Sequence, residues 1–203
     1  MQIAIALFDR FTALDAAGPY QVLCRVPGAE VVFVADRARA VSDDAGTLVL
    51  RAQAGYAQVP SPDLVVVPGG PGTAAQLAPG PLRDWLLAAD QASAWTTSVC
   101  TGSLILAAAG LLTGRNATTH WGSMDKLASL GAVPRRERYV FDGKYVTAAG
   151  VSAGIDMALA LVGRFAGDEA AERIQLGIEY DPHPPYHAGS PATARPELVA
   201  ALA

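Results

Sequence analysis

The chain has few of the residues that build disulfide frameworks and metal sites. Among 203 residues there are two cysteines, Cys24 and Cys100, and three histidines. Two widely separated cysteines exclude a disulfide framework, and they lack the CxxC spacing of zinc and redox sites. His183 and His187 have no neighbouring cysteine or carboxylate cluster, so we predict no metal site.

Charge is also scarce. Asp, Glu, Lys and Arg make up 17% of the residues, the formal net charge is −4, and no run of Lys or Arg occurs. The lack of a basic patch argues against a nucleic-acid partner and against binding to an anionic membrane surface. A small neutral substrate fits this composition better.

No apolar run approaches the roughly 18 residues that a membrane span requires. Met1 leads directly into Gln2–Phe8, without the basic segment and cleavage site of a secretory signal. We therefore expect a soluble, cytoplasmic protein. With 51% hydrophobic residues, the chain can fill one core, and we expect residues 1–203 to form a single domain.

The pattern of apolar residues predicts an α/β fold. Continuous apolar runs rich in Val and Ile, typical of strands buried on both faces, alternate with helical patterns. The predicted strands are Gln2–Phe8, Glu30–Ala35 and Leu64–Val67, with a hairpin of Arg138–Phe141 and Tyr145–Ala148 turning at Asp142-Gly143 and an antiparallel excursion over Val41–Gln53. The predicted helices are Ala13–Cys24, Pro79–Gln91, Gly102–Leu112, Gly122–Leu130, Ser152–Phe165 and Asp168–Glu179. The proline-rich segment Tyr180–Ser190 is expected to lie along the surface.

Cys100 stands where a β-favouring run changes abruptly into a helix-favouring one. A tight strand-to-helix turn projects its central side chain above the sheet edge, as in a nucleophile elbow. The helix N-terminus stabilises an anion there and can lower a thiol pKa from about 8.5 toward roughly 3.5–7.5, which predicts a thiolate at neutral pH. The alternative is an inert buried cysteine, which is common in protein cores.

Two further segments should reach the same carboxyl edge of the sheet, where ligands of open parallel sheets bind. Pro19 predicts that Asp15 lies at or just before a helix start, because proline is tolerated in a helix's first turn. Gly69 and Gly70 could present backbone N–H groups to an oxyanion, together with the N–H of Thr101. Alternatively, Asp15 only caps its helix, and the glycines only form a tight turn. A carboxyl beside a thiol would share one proton with it.

His120 ends another strand-like run and could reach the same crevice to support Cys100, or it could simply be a packed, hydrogen-bonded residue. Five motifs, four of which contain these candidates, follow one another along the chain. They are Asp15-x-x-Gly18-Pro19, Val67-Pro-Gly-Gly70, Ser98-Val-Cys-Thr-Gly-Ser103, Ala107-Ala-Ala-Gly-Leu-Leu-Thr-Gly114 and Ala117-Thr-Thr-His-Trp121.

In these motifs the chain resembles the ThiJ/PfpI superfamily nearly from end to end. Within it, the chain is most similar to the isocyanide hydratases, in having Asp15 before Gly-Pro, Thr101 after the cysteine, and a tail with Gln175-Leu-x-x-Glu-Tyr180 and Pro184-Pro-Tyr-x-Ala-Gly-Ser-Pro191. The resemblance implies a flavodoxin-like α/β sandwich, a homodimer, and cofactor-independent hydration of isocyanides to N-formamides. It assigns Cys100 as nucleophile, Asp15 as its acid/base partner and Thr101 as a supporting neighbour.

Some features depart from other branches of the superfamily. Its protease-like members have histidine directly after the cysteine, where this chain has Thr101, and its transcriptional regulators carry a DNA-binding domain after the sandwich.

Two alternative functions stay open. One is a glyoxalase-type hydratase of α-oxoaldehydes, which would use the same Cys–carboxylate pair. The other is a non-catalytic ligand or redox sensor that responds through oxidation of Cys100.

Overall fold

Seven strands form one central sheet in the computed structural model, which describes residues 1–202. With two further two-stranded sheets, the described residues form eleven strands: β1 (Gln2–Ala6), β2 (Glu30–Ala35), β3 (Arg39–Ser42), β4 (Val49–Ala52), β5 (Ala54–Gly55), β6 (Leu64–Val67), β7 (Trp95–Val99), β8 (Asn116–Ala117), β9 (Val133–Pro134), β10 (Tyr139–Asp142) and β11 (Tyr145–Ala148). The sheet order is β10-β11-β7-β6-β1-β2-β5. Neighbouring strands pair in parallel, except that β10 and β11 form an antiparallel hairpin.

Helices cover both faces of the sheet in three layers, so the expected flavodoxin-like α/β sandwich is confirmed. The helices are α1 (Ala13–Leu23), α2 (Thr73–Gln76), α3 (Pro81–Ala92), α4 (Gly102–Ala108), α5 (Met124–Ser129), α6 (Ala153–Ala166), α7 (Asp168–Gly177) and α8 (Pro196–Leu202). Helices α1 and α6 pack against each other, whereas α4 packs against α3 and the central strands. The middle strands β1 and β6 are apolar and almost wholly buried, as expected for strands covered on both sides.

Several predicted elements are confirmed with shifted ends. The antiparallel excursion is the β3–β4 hairpin, and Gly143 (φ 63°) lies in the turn between β10 and β11. Helix α4 ends four residues before its predicted end. Gly110 (φ 84°) follows it in the left-handed conformation, and the Leu111 N–H bonds to the carbonyl of Leu106, as in a Schellman motif.

The start of the first helix was inferred from Pro19, and this reasoning is wrong. Pro19 is the seventh residue of α1, well inside the helix rather than in its first turn. The proline nitrogen has no hydrogen to donate to the carbonyl of Asp15, so the helix loses one internal hydrogen bond there. The ring packs against Gly154 of α6, where a Cβ atom would lie 3.1 Å from Pro19 Cγ. Asp15 nevertheless lies in the first turn of α1.

The C-terminal segment lies on the surface. Residues 181–190 are exposed, which confirms the expectation from their proline content, and α8 follows them as an additional, unpredicted helix. Within residues 1–202, the longest helices are too short or too polar to cross a bilayer.

Candidate active site

The register of the sheet brings four chain segments to one edge. Val67 pairs with Ser98, and Val99 pairs with Ala148, so β6, β7 and β11 end side by side. The chain leaves these strands through Pro68–Gly70, Cys100 and Ala149–Gly150, and the neighbouring β1 leads into α1 with Asp15. The predicted crevice at the carboxyl edge of the sheet therefore collects Asp15, Gly69, Gly70, Cys100 and Thr101.

Cys100 occupies a strained turn between β7 and α4. Its φ angle is 57°, in the left-handed region that a residue with a side chain rarely adopts. Four hydrogen bonds hold this conformation. The Cys100 N–H donates to the carbonyls of Ala149 (2.7 Å) and Ala148 (3.1 Å), while the Cys100 carbonyl accepts from Thr119 Oγ1 (3.0 Å) and Ser103 Oγ (3.1 Å). The backbone is thus fixed by its surroundings at the residue that bears the thiol.

Glycines allow the two loops of the site to touch. A Cβ atom on Gly69 would lie 2.5 Å from the backbone nitrogen of Thr101, and one on Gly102 would lie 2.1 Å from the carbonyl oxygen of Val67. Both distances are far inside van der Waals contact, so side chains at these positions would push the loops apart. The glycines bring the β6 loop against the start of α4.

Asp15 is completely buried and belongs to the site rather than to its own helix end. Its Oδ2 accepts a hydrogen bond of 2.9 Å from the Gly69 N–H. The N-cap of α1 is Thr12, and Asp15 is not used to cap this helix. The interpretation of Asp15 as a simple capping residue is therefore wrong. Within residues 1–202, Asp15 Oδ1 has no partner of normal hydrogen-bond geometry.

The prediction that Gly69 and Gly70 offer N–H groups to a substrate oxyanion is wrong. The Gly69 N–H donates to Asp15, and the Gly70 N–H donates to Thr101 Oγ1 at 2.9 Å. Both donors are occupied by side chains of the site, so the glycine loop positions these side chains instead of binding the substrate. Thr101 also exchanges a 2.9 Å hydrogen bond with the hydroxyl of Thr73, a residue that sequence analysis did not identify.

We predict that Thr101→Val destabilises the protein by about 1–3 kcal/mol, because it leaves the Gly70 N–H without its acceptor. Thr101→Ser keeps the hydroxyl and serves as the matched control. Urea unfolding followed by circular dichroism measures both variants. Equal unfolding midpoints for the valine and serine variants would show that the hydroxyl does not hold the loop.

Burial has the largest effect on the pKa values of Asp15 and Cys100. It raises the pKa of Asp15 to about 7, against the lowering effect of the Gly69 N–H. Burial, and next the negative charge of Asp15, raise the pKa of Cys100 to about 12, although the Thr101 N–H acts in the opposite direction. The prediction of a lowered thiol pKa is therefore wrong, since desolvation outweighs the helix N-terminus. Above about pH 7 the pair therefore holds one proton, and the higher pKa of the thiol places it on Cys100.

The raised pKa of Asp15 predicts a pH-dependent stability. The folded protein keeps the Asp15 proton up to about pH 7, whereas the unfolded chain releases it near 3.8. Folded protein therefore binds more protons in this window, and its free energy of unfolding should fall by roughly 4 kcal/mol from pH 3 to pH 8 relative to that of Asp15→Asn. Denaturant unfolding at several pH values measures this difference, and parallel pH profiles for the two proteins would contradict it.

His120 lies near the thiol, beside Gly150. A Cβ atom on Gly150 would lie 2.6 Å from His120 Cδ2 and 3.3 Å from Cys100 Sγ, so the ring and the sulfur both border this glycine. His120 Nδ1 accepts a hydrogen bond of 3.3 Å from the Gly122 N–H, and partial burial lowers the pKa of the ring. Its expected support of Cys100 stays a prediction.

Thr119 and Gly150 were not among the predicted site residues. Thr119 stands next to His120 in the same motif, yet its hydroxyl could not be assigned to the Cys100 carbonyl without coordinates. Gly150 follows a strand that ends at the ligand edge of the sheet, and this position was a signal that could have identified it.

The remaining candidate residues lie outside the site. Cys24 is half-buried at the end of α1, and its sulfur is 3.4 Å from Arg25 Nη1. His183 and His187 are exposed in the C-terminal segment. Across the described residues 1–202, His, Cys, Asp and Glu side chains form no group of three that could hold a metal ion.

Comparisons with known proteins agree with this fold. The model of the DJ-1/PfpI family matches residues 1–164. An isonitrile hydratase from Pseudomonas putida is 40% identical over 199 residues, which cover 98% of this chain and 87% of that protein. The crystal structure of a ThiJ/PfpI family protein from Pseudomonas syringae has a TM-score of 0.96 at 37% identity and covers 99% of this chain and 84% of its own. Drosophila melanogaster DJ-1beta shares the fold at a TM-score of 0.80 and 21% identity, covering 88% of this chain and 97% of its own.

Proposed function

The chain belongs to the DJ-1/PfpI family, and from this premise we propose that it is a hydratase that converts isocyanides into N-formamides without a cofactor. The observation that carries the proposal is the buried pair of Asp15 and Cys100 at the strained turn. The 40% identity to an isonitrile hydratase over nearly the whole chain supports the choice of substrate.

The pair suits the chemistry of an isocyanide. The terminal carbon of R–NC accepts a nucleophile when a proton reaches the same carbon as the new bond forms. A thiol and a carboxyl that share one proton can supply both, since the sulfur provides the electron pair and the carboxyl provides the proton. The one-proton state of the pair is therefore the reactive state.

In the one-proton state the higher pKa of the thiol places the proton on Cys100, so the first step begins with transfer of this proton to the Asp15 carboxylate, which leaves the sulfur as the thiolate. The sulfur forms a bond to the isocyanide carbon, and Asp15 gives its proton to this carbon. The product is a covalent thioimidate, R–N=CH–S–Cys100, beside an ionised Asp15. The hydrogen bond from the Gly69 N–H to Oδ2 holds the carboxylate in place.

In the second step Asp15 accepts a proton from a water molecule, whose oxygen attacks the thioimidate carbon. The proton passes to the substrate nitrogen and gives R–NH–CH(OH)–S–Cys100. Collapse of this adduct breaks the carbon–sulfur bond, returns the hydroxyl proton to Asp15 and releases R–NH–CHO. The sum of both steps is the addition of one water to one isocyanide.

The direct test incubates the purified protein with an aryl isocyanide and follows the formamide by chromatography and mass spectrometry. We expect catalytic turnover that requires no added metal or cofactor. A parallel assay with an α-oxoaldehyde tests the glyoxalase-type alternative. Turnover of the α-oxoaldehyde alone would replace the proposed substrate while keeping the pair, and turnover of neither substrate would contradict a hydratase.

We also propose that a second copy of the chain covers an apolar patch formed by Leu14, Leu48 and Val49. These side chains are 42%, 42% and 54% exposed, respectively. The elements that carry them are joined, because Thr12 Oγ1 donates to Asp44 Oδ2 at 2.7 Å and the Asp44 N–H donates to the Phe11 carbonyl at 2.8 Å. The patch thus spans α1 and the β3–β4 hairpin as one surface.

For this interface we predict that the wild-type protein has twice the chain mass of 21.0 kDa in light scattering, and that Val49→Glu has the mass of one chain. A buried unpaired carboxylate strongly disfavours association. Leu176→Glu is the matched control, since Leu176 is 82% exposed and lies on α7, outside the patch. A dimer that survives Val49→Glu, or a monomeric wild type, would contradict the proposed interface.

A further inference from the structure

A cavity of about 280 Å³ borders the candidate active site. Three chain segments enclose it: the residues around Thr118–Trp121, the pair Ala149–Gly150 that follows β11, and the turn Gly189–Ala192 of the C-terminal segment. We call this space the side cavity. The first two segments also contact Cys100, whereas the third is distant from it in sequence.

Gly150 borders both the side cavity and the sulfur of Cys100. A Cβ atom on Gly150 would lie 3.3 Å from Cys100 Sγ, and Gly150 lines the cavity. Thr119 and Ala149 also line it, and both form hydrogen bonds with the backbone of Cys100. A group that fills the cavity would therefore contact the residues that surround Cys100, with Gly150 next to the reacting sulfur.

The interior of the side cavity is suited to an uncharged apolar group. Trp121, Met124 and Pro191 contribute carbon surface to it. The hydroxyls of Thr118 and Thr119 donate to the backbone carbonyls of Glu137 and Cys100, so both are already committed to the protein.

The charged residues that line the side cavity are exposed. Arg136 and Glu137 carry opposite charges, and Arg138 is bound to Asp156 and to Ser152 Oγ. The lining therefore holds no buried charge that could pair with an ionic substituent. A neutral substituent has the smallest desolvation cost on entering the side cavity.

The wall formed by Gly189–Ala192 is a compact turn. The carbonyl of Ser190 accepts hydrogen bonds from the N–H groups of Thr193 (3.1 Å) and Ala194 (2.8 Å), and the Ser190 and Thr193 hydroxyls are 3.1 Å apart. This turn follows the exposed residues 181–188 and is not part of the central sheet or its covering helices. The wall can therefore vary in bulk while the Cys100 turn keeps its geometry.

We propose that the side cavity binds the N-substituent of the isocyanide, a neutral apolar group about as large as one ring, and that the Gly189–Ala192 turn limits the size of this group. The inference rests on the proposed function for the identity of the substrate. It goes beyond it by assigning substrate selectivity to the C-terminal segment.

The test compares methyl isocyanide with cyclohexyl isocyanide in the full-length wild type, in Ala192→Phe and in Ala200→Phe. Ala192 lines the side cavity, whereas Ala200 is an exposed residue of α8 outside it. We expect Ala192→Phe to lower kcat/KM for the cyclohexyl substrate about tenfold or more and to leave the methyl substrate within about twofold. Ala200→Phe should change neither value. Equal effects of Ala192→Phe on both substrates, or no effect, would overturn the proposal.

A second measurement separates this proposal from the proposed function. In a Cys24→Ser background, Cys100 is alkylated at pH 9 with iodoacetamide or with the bulkier N-phenylmaleimide, and the modified protein is counted by mass spectrometry. Ala192→Phe should slow the maleimide about tenfold and leave iodoacetamide unchanged. This pattern supports the side cavity even if no isocyanide is hydrated. Equal slowing of both reagents, or no slowing of either, would overturn it.

Discussion

Cys100→Ala is expected to lower formamide production by about 10³-fold or more, to the background of the uncatalysed reaction. The proposed reaction has no other nucleophile, because the sulfur forms the bond to the isocyanide carbon and later leaves it. Asp15 and the hydrogen bonds around the turn remain in this variant, but they have no electron pair positioned for the substrate carbon. The measurement is initial-rate hydration of an aryl isocyanide at saturating substrate.

The matched control for this experiment is Cys24→Ala. Cys24 is the other cysteine of the chain, and it lies at the end of α1, outside the site. We expect this variant to keep wild-type turnover, so that any large loss belongs to Cys100 and not to thiols in general. Circular dichroism and the unfolding midpoint establish that both variants are folded. Turnover of Cys100→Ala within a few-fold of the wild type would exclude covalent catalysis by this residue.

Asp15→Asn is expected to lower kcat/KM by about 10²–10⁴-fold, the usual contribution of general acid–base catalysis. Asparagine retains an oxygen that can accept the hydrogen bond from the Gly69 N–H, so the loop should keep its position. It can neither deliver a proton to the substrate carbon nor take one from water. Both proposed steps therefore lose their proton carrier while the nucleophile stays in place.

The pH profile gives this variant a distinctive signature. The pair reaches its one-proton state when the first proton leaves, with the pKa of Asp15 at about 7. Wild-type kcat/KM should therefore rise with pH through about 7. This rising limb of the pH profile should be absent from the residual activity of Asp15→Asn. A pH-independent wild type between pH 5 and pH 9, or a full limb in the variant, would contradict the role of Asp15.

Asp44→Asn is the matched control for Asp15. Asp44 is an exposed carboxylate that binds Thr12 Oγ1, and its negative charge raises the pKa of Asp15. Removing this charge should move the midpoint of the limb to lower pH and keep turnover close to that of the wild type. The two substitutions remove the same chemical group at the same end of α1, so they distinguish the proton carrier from its surroundings.

Sequence patterns predicted the framework of the site well, because it depends on local rules. Apolar runs located the strands, and the strand-to-helix change at Cys100 placed it at the turn between β7 and α4. Ligands of open parallel sheets bind at the carboxyl edge of the sheet, and this rule placed Asp15, Gly69 and Thr101 together. Each of these inferences uses residues that are neighbours in the chain or in the strand order.

The failed predictions depend on contacts between distant segments. Pro19 is accommodated inside α1 beside Gly154 of α6, a fit that no local pattern contains. The Gly69 and Gly70 N–H groups are occupied by Asp15 and Thr101, and only the packing of the two loops determines this. From the helix N-terminus alone we predicted a lowered pKa for the Cys100 thiol. Burial raises this pKa instead, and the depth of burial depends on tertiary packing.

The central claim is that the sulfur of Cys100 becomes covalently bonded to the substrate carbon. Acid quenching during turnover, followed by proteolysis and mass spectrometry, tests it most directly. We predict that the peptide containing Cys100 gains the mass of one isocyanide while substrate lasts, that the peptide containing Cys24 stays unmodified, and that the adduct disappears when substrate is exhausted. Continuous formamide production with the Cys100 peptide unmodified at every quench time would contradict it.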